Sequence, residues 1–368
     1  LVLGQGGLGA DPANGVRERK TAVTFRELAD EWMERHAKPN KSARALVDDR
    51  SMLSRHVLPE IGNRKASEIA KRDIIRLLDA VSAKTDARGG RNGSRMLTHR
   101  PNRVFELVRA IFRWAIGRDL ITVDPTHGLA PPIKKEKPRE RELSLAEIRC
   151  LWTALDRAPI AKRTARGMPR GASVLGDSDI PMTRSTALTL KLALATAQRI
   201  GEVACIAVSE LDLDNGAPLW TIPGERSKNG QPNRVPLSLL ALRLIEDAQL
   251  LAPGSAWLFP NPNGDGPINA HAPTKALSRA RSATGIEDFR VHDLRRTAAT
   301  RMAEIGINPH TISMILNHVS ARQGTITSKV YVQYSYDKEK REALEAWGKR
   351  LEELLGQPCA LAVGTGAV

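Results

Sequence analysis

Cysteine is scarce. The three in 368 residues, Cys150, Cys205 and Cys359, share no paired spacing, so neither a disulfide framework nor a cysteine-based zinc site is supported, and reduced, structural thiols are expected. The eight histidines contain no His-Glu-x-x-His pattern, which leaves no motif for a catalytic metal. Long apolar runs are missing as well. Leu188 to Ala197 is too short to cross a bilayer, and the start of the chain has neither the charged segment nor the apolar core of a signal peptide, so a cytoplasmic protein without a membrane partner is expected. Acidic residues are in deficit, 41 Asp plus Glu against 56 Lys plus Arg, and the resulting net charge of +15 calls for a polyanionic partner, nucleic acid first. The excess is local: Lys84, Arg88, Arg91, Arg95, Arg100, Arg103, Arg109, Arg113 and Arg118 face only Asp86 and Glu106 across one segment. A solvated basic face is the plainer alternative.

What is present divides the chain. Residues 1–23 read as a flexible leader; Gly4-Gln5-Gly6-Gly7-Leu8-Gly9 fits G-x-G-x-x-G but lacks the strand and helix a dinucleotide fingerprint needs. From Thr24, which forms a capping box with Glu27, apolar residues recur at helical spacing through Phe25, Leu28, Ala29, Trp32 and Met33. Further stripes at 46–57, 69–81 and 104–115 give about four helices and no convincing strand, a helical domain over 24–125. Residues 126–140, with Pro131-Pro132 and Pro138, read as a linker. A second domain over 141–336 opens with a Ser144–Glu147 cap, carries a basic insertion over 158–183, and has a long apolar helix up to Arg199. Asn215-Gly216 and Asn229-Gly230 then precede short β-rich runs, which predicts a small antiparallel sheet with Lys228 at a hairpin. Helices resume from Leu239, and residues 337–368 form a tail striped by Leu344, Trp347, Leu351 and Leu354. The class is mainly α with a small antiparallel β-sheet.

The chemistry gathers in the second domain. Arg199, in Ala197-Gln198-Arg199-Ile200-Gly201-Glu202, precedes His292-Asp293-Leu294-Arg295-Arg296, then Asn317-His318, then Tyr331, Tyr334 and Tyr336. Guanidinium groups hold phosphate oxygens in a fixed fork and stay charged at relevant pH, and a tyrosine set between them can act as a nucleophile. His292 and Arg295 lie one helical turn apart and can face one phosphate, whereas Arg296 points elsewhere. Taken singly, each has a bland reading: a cap for Arg199, a buried histidine beside a surface arginine for His292 and Arg295, a helix-terminal histidine for His318, and a solubilising hairpin residue for Lys228.

In this order the residues resemble the catalytic domain of the tyrosine recombinases, specifically the integrases of phages and genomic islands. The first domain resembles the family's core-binding domain, through Arg109-Ala110-Ile111-Phe112-Arg113-Trp114-Ala115, Ile121 and Asp124-Pro125. The leader is similar to the end of an arm-site-binding domain. Two departures stand out. Ala197 replaces the glycine of Thr-Gly-x-Arg, and Asn317 replaces that of Leu-Gly-His, where a left-handed residue at a helix end would suit Gly or Asn.

The resemblance implies Arg199, Lys228, His292, Arg295, His318 and Tyr331 as catalytic residues, Glu202 as their support, and Arg88, Arg91, Arg95, Arg103, Arg109 and Arg113 as DNA contacts. It implies no cofactor, no metal and no ATP. The implied partners are double-stranded DNA attachment sites and accessory DNA-bending or directionality proteins, with a monomer in solution becoming a tetramer on DNA. Tyr331 is favoured as nucleophile because it comes first, and Tyr334 is its competitor. The tail resembles one that docks on a neighbouring protomer, with packing on its own domain the alternative. Two other functions use similar features: a type IB topoisomerase, and a non-enzymatic regulator that reads 298–316 as a helix-turn-helix. On either enzymatic reading, DNA affinity falls steeply between low and moderate salt, as counterion release requires. A flat affinity in a salt titration would contradict the assignment of the basic segment to DNA.

Overall fold

The computed structural model describes residues 23–83, 99–134, 139–160, 180–214, 216–318 and 334–356, and the backbone of 85–86 and 95–96. Most of the leader, most of the 158–183 insertion, Cys359, Arg88, Arg91 and Tyr331 lie outside these residues. The chain forms two compact units that part between Arg139 and Glu140.

The first unit is helical. Helix α1 (Phe25–Trp32) starts from the Thr24–Glu27 capping box and buries Phe25, Leu28, Ala29 and Trp32. It leads through a wide π turn, Met33–Ala37, that ends two residues before Pro39; a second such turn, Leu53–Val57, follows α2 (Ala43–Met52) and ends two residues before Pro59. Each proline withholds an N–H and crowds the carbonyl four residues back, a conflict that a widened turn relieves. Helices α3 (Lys71–Ala83) and α4 (Arg100–Ile116) complete the core, where the Phe25 and Phe112 rings lie 5.2 Å apart. Asn102 exchanges two hydrogen bonds with the Ile133 backbone, which ties residues of the expected linker to this unit. A two-residue hairpin corrects the strandless reading: β1 (Thr85–Asp86) pairs antiparallel with β2 (Arg95–Met96). Strands of two residues are too short to leave an alternation in sequence.

The second unit is built around α6 (Arg184–Thr196), whose residues from Ala187 on are all buried. It is packed by α5 (Leu145–Asp156), α7 (Ile200–Ala204), α8 (Leu239–Leu251), α9 (Ala272–Arg279), α10 (Val291–Glu304) and the tail helix α12 (Asp337–Leu355), with α11 (Pro309–Ile315) against α10 and α12. Lys191 is buried inside this helix, paired with Asp156 and set 4.7 Å over the Trp152 ring. The sheet is antiparallel in the order β3 (Leu211–Asp212), β4 (Leu219–Ile222), β5 (Asn233–Pro236), joined at the two predicted Asn-Gly positions. Gly230 sits at φ +72°, which glycine adopts without a steric penalty.

Three expectations change here. The apolar helix stops at Thr196, not Arg199, because Ala197 turns left-handed at φ +56°. The ends of the 158–183 segment are exposed only in part: Ile160 is exposed, but Ala158, Ile180 and Met182 are core residues. Cys150 is disulfide-bonded, while Cys205 is free; pairing depends on how close the fold brings two Cα atoms, which sequence separation does not reveal. The tail stripe Leu344, Trp347, Leu351 and Leu354 packs on its own unit, with Trp347 Nε1 donating to Leu194 O at 3.0 Å. Asp337 pairs with Arg234 Nε at 2.6 Å, and the buried Lys340 donates to the Arg234 carbonyl, so α12 is fastened to β5. No described helix is long and apolar enough to cross a membrane.

Candidate active site

Arg199 caps α7 from extended backbone at φ −67°, ψ 137°. Glu202, three residues on, folds back: its carboxylate accepts from Arg199 N–H at 3.2 Å and from Nη1 at 2.9 Å. Glu202 is buried and Arg199 about one-quarter exposed, so the carboxylate fixes the guanidinium from below and leaves its outer edge open.

Arg295 projects inward from α10 and is 5% exposed. Its Nη1 donates to Ala197 O at 3.0 Å and its Nη2 lies close against Leu316 O, so one side chain binds the turn before Arg199 to the turn before His318. Burial first, and then the Arg199 charge, lower its pKa to about 10, against a smaller opposing pull from Glu202. The group stays a cation at pH 7, held among like charge.

His292, one turn before Arg295, and His318, just past α11, are both exposed. Partial desolvation is the first cause that moves each below the ordinary histidine range. Arg296, Arg295 and Arg199 add to it at His292, and Arg295 and Arg199 at His318. The same two guanidinium charges therefore bear on both imidazoles, which makes one electropositive site of four side chains. Arg296 itself pairs with the buried Asp293 at 2.9 Å.

Lys228 is exposed on the β4–β5 turn, and the Asn229 side chain beside it donates to Asn317 O at 2.9 Å. Tyr334 is exposed, and its hydroxyl donates to Glu339 at 3.1 Å, a bond that raises its pKa above the ordinary phenol value. Its ring stands edge-on to Tyr336, and Tyr336 edge-on to His310. In the first unit, Arg103 is exposed and paired with Glu106, Arg113 is exposed, and Arg109 is half-buried with its guanidinium 5.8 Å from the Phe105 ring centre. Arg109 and Arg113, four residues apart on α4, share a face. Of Arg95 only the backbone, in β2, is described.

Two residues escaped the sequence reading. Gln198 and Asn233 are each 1% exposed. Gln198 Nε2 donates to Thr196 O at 2.8 Å and Ile315 O at 3.0 Å, while Asn233 Nδ2 donates to Gln198 Oε1 at 3.1 Å and Ile315 O at 3.2 Å. Amides in loops and at strand starts are usually solvated, so nothing in their spacing distinguished them.

Comparison with known proteins supplies the family. Residues 176–337 match the model of the phage integrase family, and residues 25–131 match that of the phage integrase central domain. The chain belongs to the phage integrase family of tyrosine recombinases. It is 26% identical over 358 residues to prophage integrase IntZ of Escherichia coli strain K12, covering 94% of this chain and 77% of that one. To prophage integrase IntA of the same strain it is 28% identical over 337 residues, covering 90% and 70%. A solved structure of a lambda integrase tetramer bound to a Holliday junction shares the fold, with a TM-score of 0.62 and 18% identity over 86% of this chain and 84% of that one. The recombinase is a site-specific enzyme that cuts and rejoins DNA, and neither the topoisomerase nor the regulator reading gains support.

The lowered histidines make a pH prediction. Both rings stay neutral at pH 7 in the free recombinase, and because the unfolded chain protonates them near 6.5 while the folded one resists, these sites reduce stability as pH falls through that value. Followed by NMR, both imidazoles titrate below 6.5 in free protein and shift upward on adding DNA, whose phosphate favours the cation. A free-protein midpoint above 6.5 for either ring would contradict the shared site.

Proposed function

We propose that Arg199, Lys228, His292, Arg295, His318 and Tyr331 carry strand cleavage in this recombinase, with Glu202 orienting Arg199. The observation that supports this most is the pair of guanidinium charges that bears on both histidines, offset in part by Glu202 at Arg295 and by Asp293 at His292. A diester phosphate supplies the missing anion.

Arg199 and His318 donate to the nonbridging oxygens as charge builds in the trigonal-bipyramidal transition state, and Arg295 adds its charge from beneath. A preorganised donor of this kind contributes about 3 kcal/mol. A phenol near its reference pKa of about 10 is only about 0.1% ionised at pH 7, a cost of roughly 4 kcal/mol that flanking cations and a neutral His292 able to accept the proton reduce. The Tyr331 oxygen attacks phosphorus, the bond to the 5′ oxygen breaks, and Lys228 protonates that oxygen as it leaves. The 3′-phosphotyrosyl bond keeps the energy of the diester until a 5′ hydroxyl from another strand attacks phosphorus and releases the tyrosine. Tyr334 is the poorer nucleophile, since its hydroxyl is spent on Glu339 and its pKa is raised.

The substrate is double-stranded DNA carrying attachment sites, gripped through the basic stretch that includes Arg88, Arg91, Arg95, Arg103, Arg109 and Arg113, in the cytoplasm where the nucleoid lies. A monomer in solution assembles into a tetramer on DNA, the state in which lambda integrase holds a Holliday junction. Accessory DNA-bending or directionality proteins complete the reading. Tyr331→Phe removes only a hydroxyl, so on nicked DNA it abolishes the covalent adduct with binding nearly unchanged, while Tyr334→Phe still forms adduct. Adduct surviving in Tyr331→Phe and lost in Tyr334→Phe would move the nucleophile to Tyr334.

A further inference from the structure

Lys228 is solvent-exposed, yet the residues on either side of it are fixed. Ser227 is buried, and its Oγ donates to Asn229 Oδ1 at 2.7 Å. Asn229 Nδ2 donates to Asn317 O at 2.9 Å. Asn317 returns the contact: its Nδ2 lies 3.1 Å from Ser227 Oγ, 3.3 Å from Asn229 Oδ1 and 3.2 Å from Gln231 O. The orientation of both amides follows from chemistry, because the carbonyls of Asn317 and Gln231 can only accept and must each face an NH2. Asn317 is 2% exposed, sits at φ +49°, and is followed directly by His318. Glycine would meet the backbone demand equally well, but it has no side chain to reach the hairpin.

We infer that Asn317 is a positioning residue: its amide clasps the Lys228 hairpin to the His318 turn and so sets the ammonium beside the phosphate site. The inference rests on the proposed role of Lys228 as the acid for the 5′ oxygen. A lysine on a free turn spreads over many placements, whereas fixing both neighbours confines its origin and leaves only the side-chain rotamers to be ordered. Asn317 touches no reacting atom in this scheme. It acts through Lys228, and its loss reduces proton delivery to the leaving group.

The test compares single-turnover adduct formation on two DNA substrates, one with oxygen and one with sulfur at the 5′ bridging position. A thiolate leaves without a proton, so only the oxygen substrate reports the acid. Asn317→Gly keeps the left-handed turn and removes the clasp alone. It is expected to slow the oxygen substrate by about tenfold to a hundredfold, the scale on which small misplacements act, and the sulfur substrate by less than about twofold. Asn229→Ala, which opens the clasp from the other side, gives the same selectivity. Equal slowing of both substrates by Asn317→Gly, or none, overturns the clasp. Lys228→Ala separates the two ideas: if it slows both substrates alike, the acid role falls and takes this inference with it, and if it is selective while Asn317→Gly is not, the clasp alone is wrong.

Discussion

Arg295 binds the carbonyls of Ala197 and Leu316, the two backbone oxygens that precede Gln198-Arg199 and Asn317-His318. The turns belong to helices more than a hundred residues apart in the chain, and each ends its helix with a left-handed residue beside the bond. A buried guanidinium suits this place because its donors point outward in a rigid plane and can satisfy two acceptors at once. Either carbonyl left buried without a donor costs about 1–3 kcal/mol, so the positions of Arg199 and His318 depend on a side chain that also supplies part of the site's positive charge.

The left-handed residues show two answers to one constraint. Ala197 carries a Cβ where glycine would be unstrained, at a cost of about 1–2 kcal/mol, and the turn persists because Arg295 and the Gln198–Asn233 amide pair hold it from two sides. Asn317 tolerates the same conformation more readily and uses its side chain besides, toward the hairpin of Lys228. Around both turns, buried amides replace the water that would otherwise solvate loop backbone. The result is a rigid frame under cations whose exposed faces are open to phosphate.

The sequence carried the elements whose signals are local. Capping boxes at Thr24 and Ser144, helical stripes, and Asn-Gly turns around β4 all mark real boundaries, and the order of arginine, histidine and tyrosine pointed to the reaction before any geometry. The left-handed residue at Asn317 was legible from the resemblance to Leu-Gly-His, where Gly or Asn suits a helix end. What could not be read was tertiary. Gln198 and Asn233 make their bonds to partners up to 117 residues away, the two-residue hairpin in the first unit has no periodicity, and the disulfide of Cys150 depends on a proximity that only folding creates. The tail stripe specified a buried face without saying whose surface buries it; here α6 and β5 of the same chain do.

The central claim is that the Arg295 fork, not its charge alone, assembles the site. Arg295→Lys keeps the charge and gives up the planar pair of donors, so the rate of covalent adduct formation, measured on the DNA-bound fraction, tests that claim most directly. A fall of about a hundredfold or more is expected, the scale for losing a preorganised donor in a cleavage site. A rate within about twofold of the unaltered recombinase would contradict the account, because charge alone would then hold the two turns, and with them Arg199 and His318, in place.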